Sequence, residues 1–416
     1  MVRTAVTVDL DAPTDDQPQP LHNRWHPDIP AVANVEPGEP FRVECIDWTG
    51  GQVEDSDTAN DIRDMDLDRN HHLSGPIHVE GAEPGDIIAV DILDIGTIYG
   101  HEWGYNGIFA QENGGGFLTA HYPDACKSIW SLDGVYATSR HVPGVRFEGM
   151  IHPGLIGTAP SQELLEQWNE RERALADTDS AEVPNHPTGE DVPPNALPPN
   201  ENEALVGDLA GEDAERVASE GARTVPPREN GGNCDIKDLS LGSRVYFPVF
   251  VEGAKLSMGD IHFSQGDGEI TFCGAIEMPG YLDLEVEVIE NGVEKLGVDH
   301  PIFEPGHMGP TYSDYLVFEG YSVDEEGTQH YLDAHVAHRR ACLDAIEYLK
   351  GFGYTGEQAY MILGTAPIES RIAGIVDIPN TCVTVSIPKA IFDFDIDPSA
   401  RRSYDATSRG DVARTD

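Results

Sequence analysis

Leu282-Asp-Leu-Glu-Val-Glu-Val288 decides the fold class of this chain. Apolar and acidic side chains alternate along it without a break. A period of two puts every second side chain on the same face of an extended strand, so one face is apolar and the other charged. Strands with one wet face belong to antiparallel sheets. Working outward, Phe41–Trp48, Ile77–Glu80, Ile87–Ile95, Val245–Val251 and Ile270–Ile276 are further short runs of β-formers. Glycine and proline punctuate them, as in the turn Glu83-Pro-Gly-Asp86. Helical patterns are fewer. Ser161 is placed to cap a helix carrying Leu164, Leu165, Trp168 and Leu175 on a broad face. Leu332–Lys350 is a longer helix ending at Gly351, and Thr355 with Gln358 forms a capping box for a short helix reaching Leu363. The expected class is mainly β with some α.

The chain of 416 residues carries a formal charge of −48, and Lys127, Lys237, Lys255, Lys295, Lys350 and Lys389 are its only lysines. Acids spread along the whole length. Self-repulsion of this size is relieved when salt shortens the screening length to about 3 Å at 1 M, so the surface reads as salt-adapted. The same charge argues against nucleic-acid binding. No run approaches the roughly 20 apolar residues needed to cross a bilayer. The first twenty residues lack the apolar stretch of a secretory signal, so the expected location is cytoplasmic. Cys45, Cys126, Cys234, Cys273, Cys342 and Cys382 are dispersed, as buried thiols would be.

Val79-Glu-Gly-Ala82 recurs as Val251-Glu-Gly-Ala254, and Ile156-Gly-Thr-Ala-Pro160 as Leu363-Gly-Thr-Ala-Pro367, in the same order. Residues 1–396 are therefore expected to form one compact body, with two similar β halves at about 21–160 and 229–396. Residues 176–228, rich in proline and acids, are expected as an extended insertion, and 397–416 as a flexible tail.

Chemistry concentrates in Gly231-Gly-Asn-Cys-Asp235 and Gly259-Asp-Ile-His-Phe-Ser-Gln-Gly-Asp-Gly-Glu269. Asn233 with Asp235, Asp260 with His262, and Asp267 with Glu269 are each two apart, so each pair faces one way on extended backbone. The Gly266-Asp-Gly268 turn can return Glu269 toward His262. One imidazole with two carboxylates fits zinc or another divalent ion with a position open to water. Acids beside glycine are also ordinary turn residues. A second group, His71, His72, His78 and Glu80, and the lone His152 are weaker candidates. Glu112-Asn-Gly-Gly-Gly-Phe117 permits close backbone approach to a ligand but lacks a phosphate-loop ending. Cys234 is the alternative nucleophile, although its neighbours are acidic, which disfavours a thiolate.

These stretches resemble the acetamidase/formamidase family, and its formamidase branch in particular. The resemblance runs from about His22 to Pro398 and includes His22-Asn-Arg-Trp-His26, Glu80-Gly-Ala-Glu-Pro-Gly-Asp86, Trp103-Gly-Tyr105 and Glu112–Phe117. It continues through His152-Pro-Gly-Leu-Ile-Gly157, Pro226-Pro-Arg-Glu229, Gly259–Glu269 and Tyr312-Ser-Asp-Tyr315. It implies β-sandwich or jelly-roll-like halves with packed helices, a homo-oligomer, and hydrolysis of a short amide, formamide first. It also implies a site around Asp235, His262 and Glu269, with a divalent metal in it. The expected assignment is a divalent metal, zinc by ligand type, on Asp235, His262 and Glu269. Glu269, Asp267 and Asn233 are the expected catalytic groups, with Phe263, Trp103 and Tyr105 as substrate walls. The rival readings are a thiol amidase using Cys234 and a non-enzymatic β-sandwich module that holds a cation.

Overall fold

The computed structural model describes residues 2–176, 201–306, 312–400 and 408–416. The alternating run lies in the strand Gly280–Ile289, which pairs antiparallel with Phe41–Cys45 on one side and Ile87–Thr97 on the other. Leu282, Leu284 and Val286 are buried, as the alternation requires. Asp283 breaks the pattern by being buried too. Its direct cross-strand neighbour is Arg42, whose guanidinium forks onto the carboxylate at 2.6 and 2.8 Å. A buried charge is tolerable when it is paired in this way. Between Asp94 and Ile92 the register slips by one, and the extra residue, Leu93, bulges outward and is exposed.

These strands form a sheet of six: Arg3–Val6, Phe41–Cys45, Gly280–Ile289, Ile87–Thr97, Arg244–Pro248 and Ile302–Glu304. The path of the second, larger sheet runs Arg146–Glu148, Tyr136–Ser139, Cys126–Asp133, Trp103–Ile108, Phe272–Met278, Leu256–Gln265, His152–Gly157 and Gly231–Asn233. Val43, Val90, Leu282 and Leu284 of the first sheet share one core cluster with Met258, Ile261, Phe263 and Met278 of the second. The architecture is thus a β-sandwich with helices packed on it, as expected.

The helices start where their caps dictate. Ser161 Oγ accepts from Leu164 N–H at 3.2 Å to open Gln162–Ala176. Thr355 and Gln358 form the full capping box of Gly356–Thr365. The long helix is Ala334–Lys350, capped by Asp333 rather than begun at Leu332. It lies on a three-stranded sheet of Tyr315–Tyr321, Cys382–Pro388 and Glu369–Gly374. Gly320 permits the approach, since a Cβ there would sit 2.0 Å from Ala337 O.

Two expectations change. Residues 177–200 of the expected insertion lie outside the described residues, but the stretch after them is folded. Helix Gly211–Glu220 buries Val217 against Ile29 and Val206, and Ala222–Arg223 pairs with Arg24–Trp25. Apolar Val217 and Ala218 give that acidic stretch a face to bury. The end of the chain is docked rather than frayed. Val412 and Ala413 are buried, and Ala413–Arg414 pairs with Cys126 and Lys127. The two echoed segments hydrogen-bond to each other: Val79 N–H donates to Gly253 O at 2.9 Å, and Gly253 N–H to Ala82 O at 2.8 Å. Among the described residues no helix is long and apolar enough to cross a membrane.

Candidate active site

Four neighbouring strands of the large sheet place one row of functional side chains. His152 lies opposite His262, His262 opposite Glu277, and Glu277 opposite Tyr105. Cross-strand partners share a face of the pleat, so strand register alone gathers the row. All four are buried.

The hydrogen bonds order this row. His152 Nδ1 faces Met150 O at 2.6 Å. Gln265 Nε2 donates to Asp235 O at 2.7 Å, which leaves Oε1 as an acceptor. His262 Nδ1 lies 3.2 Å from His152 Nε2 and 2.9 Å from Gln265 Oε1, which are themselves 3.0 Å apart, so the three atoms form a triangle in which Gln265 Oε1 accepts from the ring nitrogens. His262 Nε2 is directed between Asp260 Oδ1 and Glu277 Oε2, each 3.1 Å away. It is aligned with neither as a hydrogen bond, and Glu277 Oε2 also lacks a partner. A proton or a cation must sit among these three groups. Burial opposes protonation of His262, but the charges of Glu277 and Asp260 outweigh it and raise its pKa well above the ordinary value. Burial, chiefly, keeps His152 neutral, with a pKa lowered to about 3.

A second pair of acids adjoins the first. Asp235 and Glu269 bring carboxylate oxygens within 4.8 Å of each other and of His262. Burial, and then the charge of Asp260, pushes Asp235 up to about 7. Burial, and then Asp235, raises Glu269 well above the usual carboxylate range. Glu277 is pushed up to about 7, again mainly by burial. Crowded carboxyls in a dry place cannot all ionise, so they retain protons near neutrality.

Two groups gather potential ligand atoms within 4.8 Å: Asp235, His262 and Glu269, and Asp260, His262 and Glu277. The backbone bends to achieve this. Asp235, Asp260 and Glu269 have φ of 49°, 56° and 47°, and nearby Phe272 has 80°. Non-glycine residues in the left-handed region cost roughly 1–3 kcal/mol each, and such strain clusters at functional sites.

The cluster opens into a pocket lined by Trp48, Leu67, Phe109, Val225 and Phe272, with Asn70, His71, Arg223, Asn233, Asp260, Glu269 and Glu277. His71 packs on Trp48 with ring centres 5.2 Å apart. The expected Glu112–Phe117 loop backs the walls: a Cβ on Gly114 would lie 3.0 Å from Leu67 and 3.4 Å from Phe272.

Several expected residues sit elsewhere. Asp267 is held by Lys237 Nζ at 2.7 Å and by Ser370 N–H at 2.8 Å, apart from the His262 groups. Phe263 follows His262, so the pleat turns it into the core, where it is fully buried. Trp103 stacks on His101 at 4.8 Å and does not line the pocket. Tyr105 lies behind Glu277 and donates to Asp47 Oδ1 at 2.9 Å. The apolar walls are instead Trp48, Phe109 and Phe272. Of the second histidine group, His71 reaches the pocket, His72 is buried against Trp48 O, and His78 with Glu80 forms a half-exposed pair at 3.9 Å. Cys234 is exposed rather than buried as the dispersed cysteines suggested; its Sγ donates to Gly231 O at 3.4 Å, and local desolvation followed by the Asp235 charge raises the thiol to about 11. Glu277 was missed. Its signal was a single acid in the otherwise apolar Cys273-Gly-Ala-Ile-Glu-Met278.

Comparisons with known proteins place the whole chain. A sequence model described as the Acetamidase/Formamidase family matches residues 7–394. The formamidase of Methylophilus methylotrophus is 61% identical over 399 residues, covering 96% of each chain. The acetamidase of Mycolicibacterium smegmatis is 58% identical over 382 residues, covering 90% of this chain and 92% of that one. The solved structure of a gamma lactamase from Delftia acidovorans superposes with a TM-score of 0.94 at 55% identity, over 100% of both chains. The chain belongs to the acetamidase/formamidase family.

Proposed function

We propose that the protein hydrolyses formamide to formate and ammonia at the His262 cluster. Membership of the family makes it an amidohydrolase of short linear amides. The observation that carries the site assignment is His262 Nε2, buried and aimed between two carboxylates at 3.1 Å each, where a proton or a cation must sit.

The residues fit a divalent cation. The unpartnered atoms His262 Nε2, Glu277 Oε2 and Asp235 Oδ1 are all buried. One imidazole among carboxylates is a donor set that zinc accepts. Asp260, His262 and Glu277 would hold the ion, with Asp235 and Glu269 as the neighbouring set. Bound there, it would supply Lewis acidity toward a carbonyl oxygen and make a water more acidic.

The chain's own groups account for the proton movements. Asp235 and Glu269, neighbouring carboxyls that share a site, accept a proton from the attacking water. The water oxygen bonds to the carbonyl carbon as the carbon–nitrogen bond breaks. The same pair returns the proton to the departing nitrogen, which leaves as ammonia. Trp48, Phe109 and Phe272 exclude other water, which strengthens each of these interactions. Cys234 has no part in this route, because its thiol is held protonated and does not line the pocket.

The test is ammonia release from formamide before and after chelation, and after zinc is restored. Loss on chelation with recovery on zinc supports the reading, and full activity in metal-free protein refutes the cation. His262→Ala is expected to lose at least about 100-fold in kcat. Cys234→Ala is expected to turn over near normally.

The protein is also read as a cytoplasmic homo-oligomer. Its cysteines among the described residues are all unpaired. Ile372, Val376 and Ile378 are exposed near one another in sequence, and exposed Tyr331 precedes Leu332, whose N–H donates to Pro379 O at 2.9 Å. Sedimentation in high salt distinguishes an oligomer from a single chain.

A further inference from the structure

Two asparagines in the pocket wall carry buried carbonyl oxygens without a partner: Asn233 Oδ1 and Asn70 Oδ1. The orientation of Asn233 is settled by its other end. Its Nδ2 donates to Val225 O at 3.0 Å, and only the nitrogen can donate. The oxygen is therefore the end left over for the pocket. Asn70 is 3% exposed and leaves its Oδ1 unmet in the same wall. Buried acceptors are almost always satisfied in folded proteins, so a pair left open in a cavity calls for a donor from outside the chain.

We propose that Asn233 and Asn70 accept the two N–H groups of the substrate, so that the pocket selects amides with an unsubstituted nitrogen. This rests on the amidase reading above and adds the basis of its selectivity. A primary amide offers two N–H donors on one nitrogen, which matches two acceptors. Asn233 is two residues from Asp235, whose carboxyl lies within 4.8 Å of that of Glu269, itself in the same pocket wall. The substrate nitrogen is thereby held beside the pair that protonates it as it leaves. An ester or a fully substituted amide of the same acid leaves both oxygens unmet. Sites built to bond an N–H reject analogues without one far more strongly than apolar pockets reject a missing methylene.

The experiment compares formamide with methyl formate, in wild type and in Asn233→Ala and Asn70→Ala. The amide-to-ester ratio of kcat/KM is expected to fall at least about tenfold in each variant. An unchanged ratio, with both substrates losing equally, overturns the inference while leaving the amidase reading intact. Wild type supplies a second measurement that needs no variant to fold. N,N-dimethylformamide is expected to be turned over at least about 1000-fold less efficiently than formamide. Comparable rates on the two overturn the inference. Wild type that releases no ammonia from formamide defeats the amidase reading and this inference with it.

Discussion

Gly154 has no side chain, and the acids around His262 occupy the room one would need. A Cβ there would lie 2.6 Å from His262 Cε1 and 2.7 Å from both Asp235 Oδ1 and Asp260 Oδ2. Real contacts of that length do not occur, so Gly154→Ala must displace at least one of these groups. The expected result is a loss of at least about 100-fold in kcat with near-native circular dichroism, since misplaced catalytic groups cost that much. The return of Glu269 toward His262 could be read from spacing, because strand periodicity and a glycine turn are local properties, whereas Asp235 joined them through the family resemblance. The pairing of His262 with Glu277 could not. It depends on the register of two strands and on a bulge between His262 and Gln265. The same limit explains Phe263. Its neighbourhood in sequence pointed to the site, while the pleat points its ring away from it.

At the scale of elements, caps and alternation were the most legible features. The capping box of Thr355 and Gln358 and the cap at Ser161 form from residues three apart, so nothing distant can override them easily. Thr355→Ala is expected to destabilise the protein by about 1 kcal/mol, read as a lower denaturant midpoint with an unchanged slope. The helix Gly211–Glu220 was hidden by the acidic composition around it. Its stability comes from Val217 and Ala218 packing on Ile29 and Val206, which no local pattern announces. The final strand Ala413–Arg414 was obscure for a similar reason, since two residues gain meaning only when Cys126 and Lys127 lie opposite them.

For the molecule as a unit, stability depends on which protons it holds. His22 is buried, and that burial lowers its pKa from 6.5 to about 4. Between those values the unfolded chain binds more protons than the folded one. The contribution is fully present above pH 6.5 and is lost as pH falls toward 4, by roughly 3 kcal/mol for this one group. Asp235 and Glu277, raised to about 7, act in the opposite direction: their contribution is present at low pH and is lost as pH rises through 7. Thermal midpoints measured against pH should therefore fall on both sides, and saturating zinc should flatten the alkaline side only. The midpoint should also climb between 0.1 and 1 M salt, where the screening length shortens from about 10 to 3 Å around a charge of −48. That charge was plain in the composition, whereas the interlocking of the two echoed segments needed three dimensions to see. The row His152, His262, Glu277 and Tyr105 has a final implication for how such a protein can diverge. Inserting or deleting a single residue within any of its four strands turns that strand's contribution to the opposite side and erases the centre at a stroke. Lineages that keep the activity must vary these strands by replacement alone, and confine changes of length to the connections between them.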